Sequence, residues 1–172
     1  MRRARGYAAT MQIDTTLLPV RGDDAVEILL NDHQVIKSLL SELTSAVGPR
    51  REEVLEQLKG VLTIHNATEE NLVYPAINRV AGSKLESQHL FHETAEADTL
   101  LFELDSMLKE RDESEFSMKA EKFADAVRHH IEEEEQKAFP RLQENAEPRQ
   151  AQILSDSVKT FRKSLHFEIA GA

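Results

Sequence analysis

Cysteine is absent from the 172 residues, which excludes disulfides, thiolate-held metals and cysteine nucleophiles. A cysteine-free chain suits a reducing compartment, and the expected location is cytoplasmic. Positive charge is in deficit: 21 Lys and Arg stand against 31 Asp and Glu, a net charge of −10. That balance argues against nucleic acid or an anionic membrane as partner. Long apolar runs are also missing. The basic start MRRARGYAATM leads only to the short LLPV, so neither a signal-peptide core nor a bilayer span is expected. Glycine and proline are few, at six and five. No stretch alternates with period two, so no strand is expected.

The chain is instead rich in Glu, Leu, Ala and Lys at helical spacing. Residues 1–22 show no periodicity and read as an irregular N-terminal arm. Asp23 or Asp24 then supplies an N-cap. Val26, Leu29, Leu30, His33, Ile36 and Leu40 recur at three and four along a first helix reaching about Val47. Gly48-Pro49 ends it. A second helix over about 51–79 aligns Val54, Leu58, Val61, Leu62, His65, Glu69 and Leu72. Pro75 should kink it or end its regular part, and Gly82 stops it. Ser83 and Glu86 fit a capping box for a third helix to about Leu108. A charged KERDES loop leads to a fourth helix from about Glu115 to Gln143, with Phe123, Val127, Ile131 and Phe139 as apolar markers. Pro148 and Gly171 bracket a short fifth helix. The expected fold is all-α. An antiparallel up-down four-helix bundle spans 23–145, and a C-terminal helix in 146–172 packs on or beside it.

One unusual phrase is written twice. HNATEENLVYP begins at His65, and HIEEEEQKAFP begins at His130. Each has His, then Glu four residues on, a second Glu, and an aromatic-Pro pair at +9 and +10. In an up-down bundle the second and fourth helices run the same way, so matching positions sit at one depth. His65 lies seven from Leu58, His130 seven from Phe123, and His33 seven from both Val26 and Leu40. Positions seven apart nearly eclipse on a helix, which puts all three imidazoles on inner stripes. Glu69 and Glu134 stand one turn further along. A bare carboxylate in a bundle core is costly unless it is paired or holds a metal. Imidazole with carboxylate and no thiolate suits iron, manganese or zinc.

The third helix offers His89 and His92. Counting back from Leu100, His89 and Glu93 each fall within about 20° of that residue and His92 about 80° away. His89 with Glu93 is therefore preferred, and His92 with Glu96 is the second choice. Ordinary readings cover the rest. A lone inward His33 is commonly a hydrogen-bonded core histidine. Positions 132, 133 and 135 of the EEEE run read as a solvated face, His129 as exposed and His166 as surface. Tyr74 and Phe139 read as packing residues.

Asp32-His33, the two repeated phrases and a third-helix histidine together resemble hemerythrin-like proteins with the HHE cation-binding domain, over roughly residues 23–143. The resemblance implies a bundle holding a non-haem di-iron centre, two Fe ions bridged by oxygen and carboxylates. It implies His33, His65 and His130 as terminal ligands, Glu69 as a bridging carboxylate and His89 as the third-helix ligand. It further implies O2, peroxide or NO as small ligands. Two departures stand out. Oxygen carriers have His-x-x-x-His on the third helix, where this chain has Glu93 at the second position. They have His-x-x-x-x-Asp on the fourth, where this chain has His130-x-x-x-Glu134. The expected metal set is therefore His33, His65, Glu69, His89, Glu93, His130 and Glu134. Its richness in carboxylate favours ferric iron and disfavours simple reversible O2 carriage.

Two other classes compete. A ferritin-like iron oxidase or iron-handling protein uses Glu-x-x-His on two helices, and only Glu86-Ser-Gln-His89 fits that order. A metal-free helical interaction protein would keep the same buried polar residues, and elemental analysis separates it at once. No protein partner can be named from the residues.

Overall fold

The computed structural model describes residues 15–82, 84–111 and 114–170, and every regular element among them is helical. A single 3-10 turn, Thr15–Leu17, precedes α1, Ala25–Ser45. Asp24 caps α1, its carboxylate accepting from the Glu27 amide at 2.9 Å. Gly22 before it holds φ +126°, and a Cβ there would meet the Ile28 amide nitrogen at 2.9 Å, so only glycine fits the approach.

The second long helix is built in three pieces: α2, Pro49–Thr68, a π turn at Glu69–Val73, and α3, Tyr74–Ala81. Gly82 at φ +63° ends it in the left-handed conformation. Next comes α4, Lys84–Glu110. The repeat then recurs in structure: α5, Phe116–Glu133, a π turn at Glu134–Ala138, and α6, Phe139–Asn145. Each π turn is followed, one aromatic residue later, by a proline. Pro75 and Pro140 lack an amide proton, and their rings would crowd the carbonyl one turn back. A widened turn relieves that clash without breaking the helix. Each π turn begins at the repeated glutamate, so the duplicated phrase encodes a duplicated distortion.

α1, α2, α4 and α5 close a ring of neighbours in which α2 and α5 stand across the diagonal. The apolar interior falls into two parts. One holds Ile36, Leu58, Leu62, Phe123, Val127 and Ile131 among others. The second holds Val26, Leu29, Val73, Ile77, Phe139 and Leu142. Burying each such side chain contributes roughly 1.5–3 kcal/mol. Between the two parts lies a polar layer, because His33, His65 and His130 each stand where their helix passes from one part to the other.

α7, Pro148–Ala170, is not short: its 23 residues match the bundle helices in length. It lies on α1 and α2, burying Ser155, Val158 and Arg162. Ser155 Oγ accepts from the Ala25 amide at 3.0 Å. Ser83, proposed in a capping box, and the side chain of His166 lie outside the described residues. Among the described residues no helix is long and apolar enough to cross a membrane.

Candidate metal centre

His65 and Glu69, one turn apart on α2 and its π turn, project to the bundle axis. Glu134 at the start of the other π turn meets them from across the diagonal, and His33 comes from α1. One ligand atom from each of these four buried residues lies within 4.8 Å of every other. His33 Nε2 is 3.2 Å from Glu134 Oε2 and 3.9 Å from Glu69 Oε1. His65 Nε2 is 3.2 Å from Glu69 Oε2. His33 Nε2, His65 Nε2, Glu69 Oε1 and Glu134 Oε2 are buried with no hydrogen-bond partner among the described residues. Buried polar atoms are almost always satisfied, so four orphaned lone-pair donors converging on one point fit a cation.

The opposite ring nitrogens explain how these imidazoles are held. His33 Nδ1 is 2.9 Å from Glu135, His65 Nδ1 is 3.4 Å from Asp32, and His130 Nδ1 is 3.1 Å from Glu93. An ionised carboxylate only accepts, so Nδ1 carries the proton of each neutral ring and Nε2 keeps its lone pair. Asp32 is fixed in turn by Arg162 of α7, and Glu135 by Lys37 at 2.8 Å. Replacing Asp32 by Asn should weaken metal binding about 10–100-fold, the usual effect of losing such a support. An unchanged affinity in a metal titration would remove the support role.

The electrostatics agree. Burial, then the charge of neighbouring His33, holds the His65 imidazole well below its usual range, which keeps it neutral and ready to ligate. Burial, then the charge of Glu134, pushes Glu69 well up. Burial also acts against Glu134, but the adjacent His33 and the surrounding imidazoles draw it below the usual carboxylate range. Two fully buried carboxylates at this spacing do not both stay ionised without positive charge between them.

Tyr74 is more than a packing residue. Its hydroxyl lies 2.9 Å from Glu134 Oε1, 3.1 Å from Glu69 Oε2, 3.1 Å from His130 Nε2 and 3.5 Å from Thr94 Oγ1. His130 Nε2 is itself 3.5 Å from Glu134 Oε1. His130 and Tyr74 thus adjoin the four-residue cluster on the far side of Glu134. Phe139, the matching aromatic of the second phrase, instead stacks on His33 with ring centroids 5.6 Å apart.

On the third helix the expected facing does not hold. His89 is 55% exposed and pairs with Glu93 at 3.3 Å, while His92 is 71% exposed and pairs with Glu96. The inward residues include Ser87, Leu90, Thr94, Ala97, Leu100 and Leu104. They step by three and four, 17 residues in five steps or a mean of 3.4, close to the 3.5 spacing of supercoiled helices. Leu100 lies at the edge of that stripe, so a 3.6 period counted back from it carries His89 to the wrong face. Glu93 lies beside His130, and its carboxyl is drawn down, against burial, by the hydrogen bond from that ring. His129 is 64% exposed. His89→Ala and His92→Ala should each leave the metal content unchanged by elemental analysis, and loss of metal in either would refute this placement.

Sequence reasoning gave no role to Thr94 or Arg162, read Tyr74 as packing and Glu135 as solvated surface, and used Asp32 only as part of the Asp32-His33 motif. Only Tyr74 had a readable signal. A hydroxyl at a buried position, where the sister phrase has Phe, needs a polar partner. Glu135 belongs to a run that reads as solvated, yet its carboxylate reaches back to α1.

A buried His/Glu cluster at the mid-depth of a helical bundle defines a cation-binding protein. The family model described as the hemerythrin HHE cation binding domain matches residues 24–142, and the chain belongs to that family. A Nostoc sp. (strain PCC 7120) protein named DNA nickase is 24% identical over 146 residues, covering 84% of this chain and 41% of that protein. The chain therefore spans less than half the length of that curated relative. A crystal structure of a hemerythrin HHE cation-binding-domain-containing protein from Mycobacterium kansasii superposes with a TM-score of 0.68 at 22% identity, covering 87% of this chain and 94% of that one. At that identity the likeness speaks to the fold alone.

Proposed function

We propose that this protein holds two iron ions, bridged by oxygen and by Glu69 and Glu134, and reacts with O2, peroxide or NO. The observation that carries the reading is the convergence of four orphaned donor atoms in a buried layer. Two imidazoles with carboxylate and open positions are the donor pattern of non-haem iron. Glu134 supports a second ion, since it turns Oε2 to His33 and Oε1 to His130 and Tyr74. Iron bound there supplies one-electron redox chemistry and a position for a small ligand.

The chain's own residues do the remainder. Asp32, Glu135 and Glu93 hold three imidazoles in orientation. The apolar parts above and below exclude bulk water. A cleft of about 10 Å³, bordered by Leu62, His65, Thr94, Ala97, His130 and Ile131, reaches the layer. It has room for about one water, which suits a diatomic gas or peroxide and no larger substrate. Three imidazoles against several carboxylates favour ferric iron, so redox reaction with peroxide or O2 is preferred to reversible carriage. Nicking of DNA, named for the longer Nostoc relative, is not carried over, because a net charge of −10 opposes a phosphate backbone.

The test is iron analysis of the loaded protein, followed by anaerobic reduction and mixing with peroxide, O2 or NO. Two irons per chain and rapid reoxidation by peroxide are expected. One iron or fewer per chain would overturn the di-nuclear reading, and indifference to all three reagents would overturn the functional one.

A further inference from the structure

The two halves of the polar layer are unequal. On the His33 side, α1 supplies an imidazole, α2 supplies His65, and the aromatic of the nearby phrase is Phe139, which has no donor atom. On the His130 side, α4 supplies no imidazole among the described residues. Thr94 is its buried polar side chain there, and Thr94 spends its own proton on the Leu90 carbonyl at 3.0 Å. The aromatic on this side is Tyr74, and its hydroxyl reaches the place an α4 histidine would fill.

Three prospective ligand atoms crowd this one phenol oxygen. The Tyr74 hydroxyl has one proton and lies beside three polar atoms: Glu134 Oε1 at 2.9 Å, Glu69 Oε2 at 3.1 Å and His130 Nε2 at 3.1 Å. Its proton can serve one of them. The other two face the lone pairs of the same oxygen. The distances suit a different role. A small cation with octahedral bonds of about 2.1 Å sets adjacent ligand atoms about 3.0 Å apart. The three contacts match that spacing, as neighbouring ligands of one ion would.

We propose that Tyr74 is a direct ligand of the second ion, its phenol oxygen joining His130 Nε2, Glu134 Oε1 and Glu69 Oε2. This rests on the two-ion reading above. On binding, the phenol O–H bond breaks, its proton leaves to solvent, and the oxygen forms a bond to the cation. No oxidant or reductant is needed. A phenolate is a hard anionic donor, so it adds to the preference for the ferric state. It also explains why the repeat carries Tyr in one phrase and Phe in the other.

The test uses the full chain loaded with ferric iron. Phenolate on ferric iron gives a broad visible charge-transfer absorption and strongly enhanced tyrosinate ring vibrations in resonance Raman. Both are expected in the unmodified protein, and the vibrations should shift when the tyrosines are ring-deuterated. That measurement does not depend on any variant folding. Tyr74→Phe keeps the ring, which the fold already accepts at Phe139, and should lose the band entirely. Iron analysis runs in parallel. Two irons with no tyrosinate vibrations, or a band that persists in Tyr74→Phe, would overturn the ligand assignment and leave the two-ion reading standing. One iron with no such vibrations would overturn both.

Discussion

His65→Ala is expected to lower iron affinity by more than about 100-fold, beyond what removal of a supporting carboxylate costs. His65 Nε2 is one of four buried donors that have no other partner, and its ring is already neutral through burial. Alanine removes the metal bond and also frees Asp32 from its Nδ1 contact. No nearby side chain substitutes, since the exposed His89 and His92 lie on the outer side of α4. His33→Ala should behave alike, whereas His129→Ala should not. Equilibrium titration with ferrous iron under anaerobic conditions reads the effect. An unchanged affinity in His65→Ala would show that the cation sits elsewhere.

Removing the metal should destabilise the fold by about 4 kcal/mol when the free ion stands near 1,000 times its dissociation constant. For a chain of this size each kcal/mol moves the melting temperature by about 2–4 °C, so the loaded protein should melt about 8–16 °C above the chelated one. The physical reason lies in the polar layer. Glu69 and Glu134 are fully buried between two apolar parts of the core, and the cation offsets their desolvation. Equal melting temperatures with and without chelator would mean that the layer is satisfied without a cation.

Much of this layout was readable in the residues, for definable reasons. His33 stood on a stripe anchored at both ends by Val26 and Leu40, so its facing could not drift. His65, Glu69, His130 and Glu134 were given away by duplication, because two copies of one phrase on parallel helices must meet at one depth. Pro75 signalled a break in regularity, and a π turn ends two residues before it; Pro140 repeats the arrangement in the fourth helix, where no break was expected. The third helix failed where its only anchors lay at one end. A period of 3.6 extrapolated over three turns from Leu100, itself at the edge of the buried stripe, departs from the observed mean step of 3.4, and Leu90 and Thr94 face inward in place of His89. Asp32 and Arg162 were out of reach because their pairing depends on where α7 docks, and nothing local specifies that. Tyr74 was misjudged because an aromatic on an inner stripe is usually core, and the absence of its hydroxyl in the sister phrase went unweighed.

The most direct measurement is a crystal structure of the iron-loaded protein with anomalous scattering data collected across the iron absorption edge. The account predicts two iron peaks in the polar layer. One lies among His33, His65, Glu69 and Glu134, and the other lies on the side of His130 and Tyr74. Iron bound at His89 and His92, or no iron among the four buried donors, would contradict it.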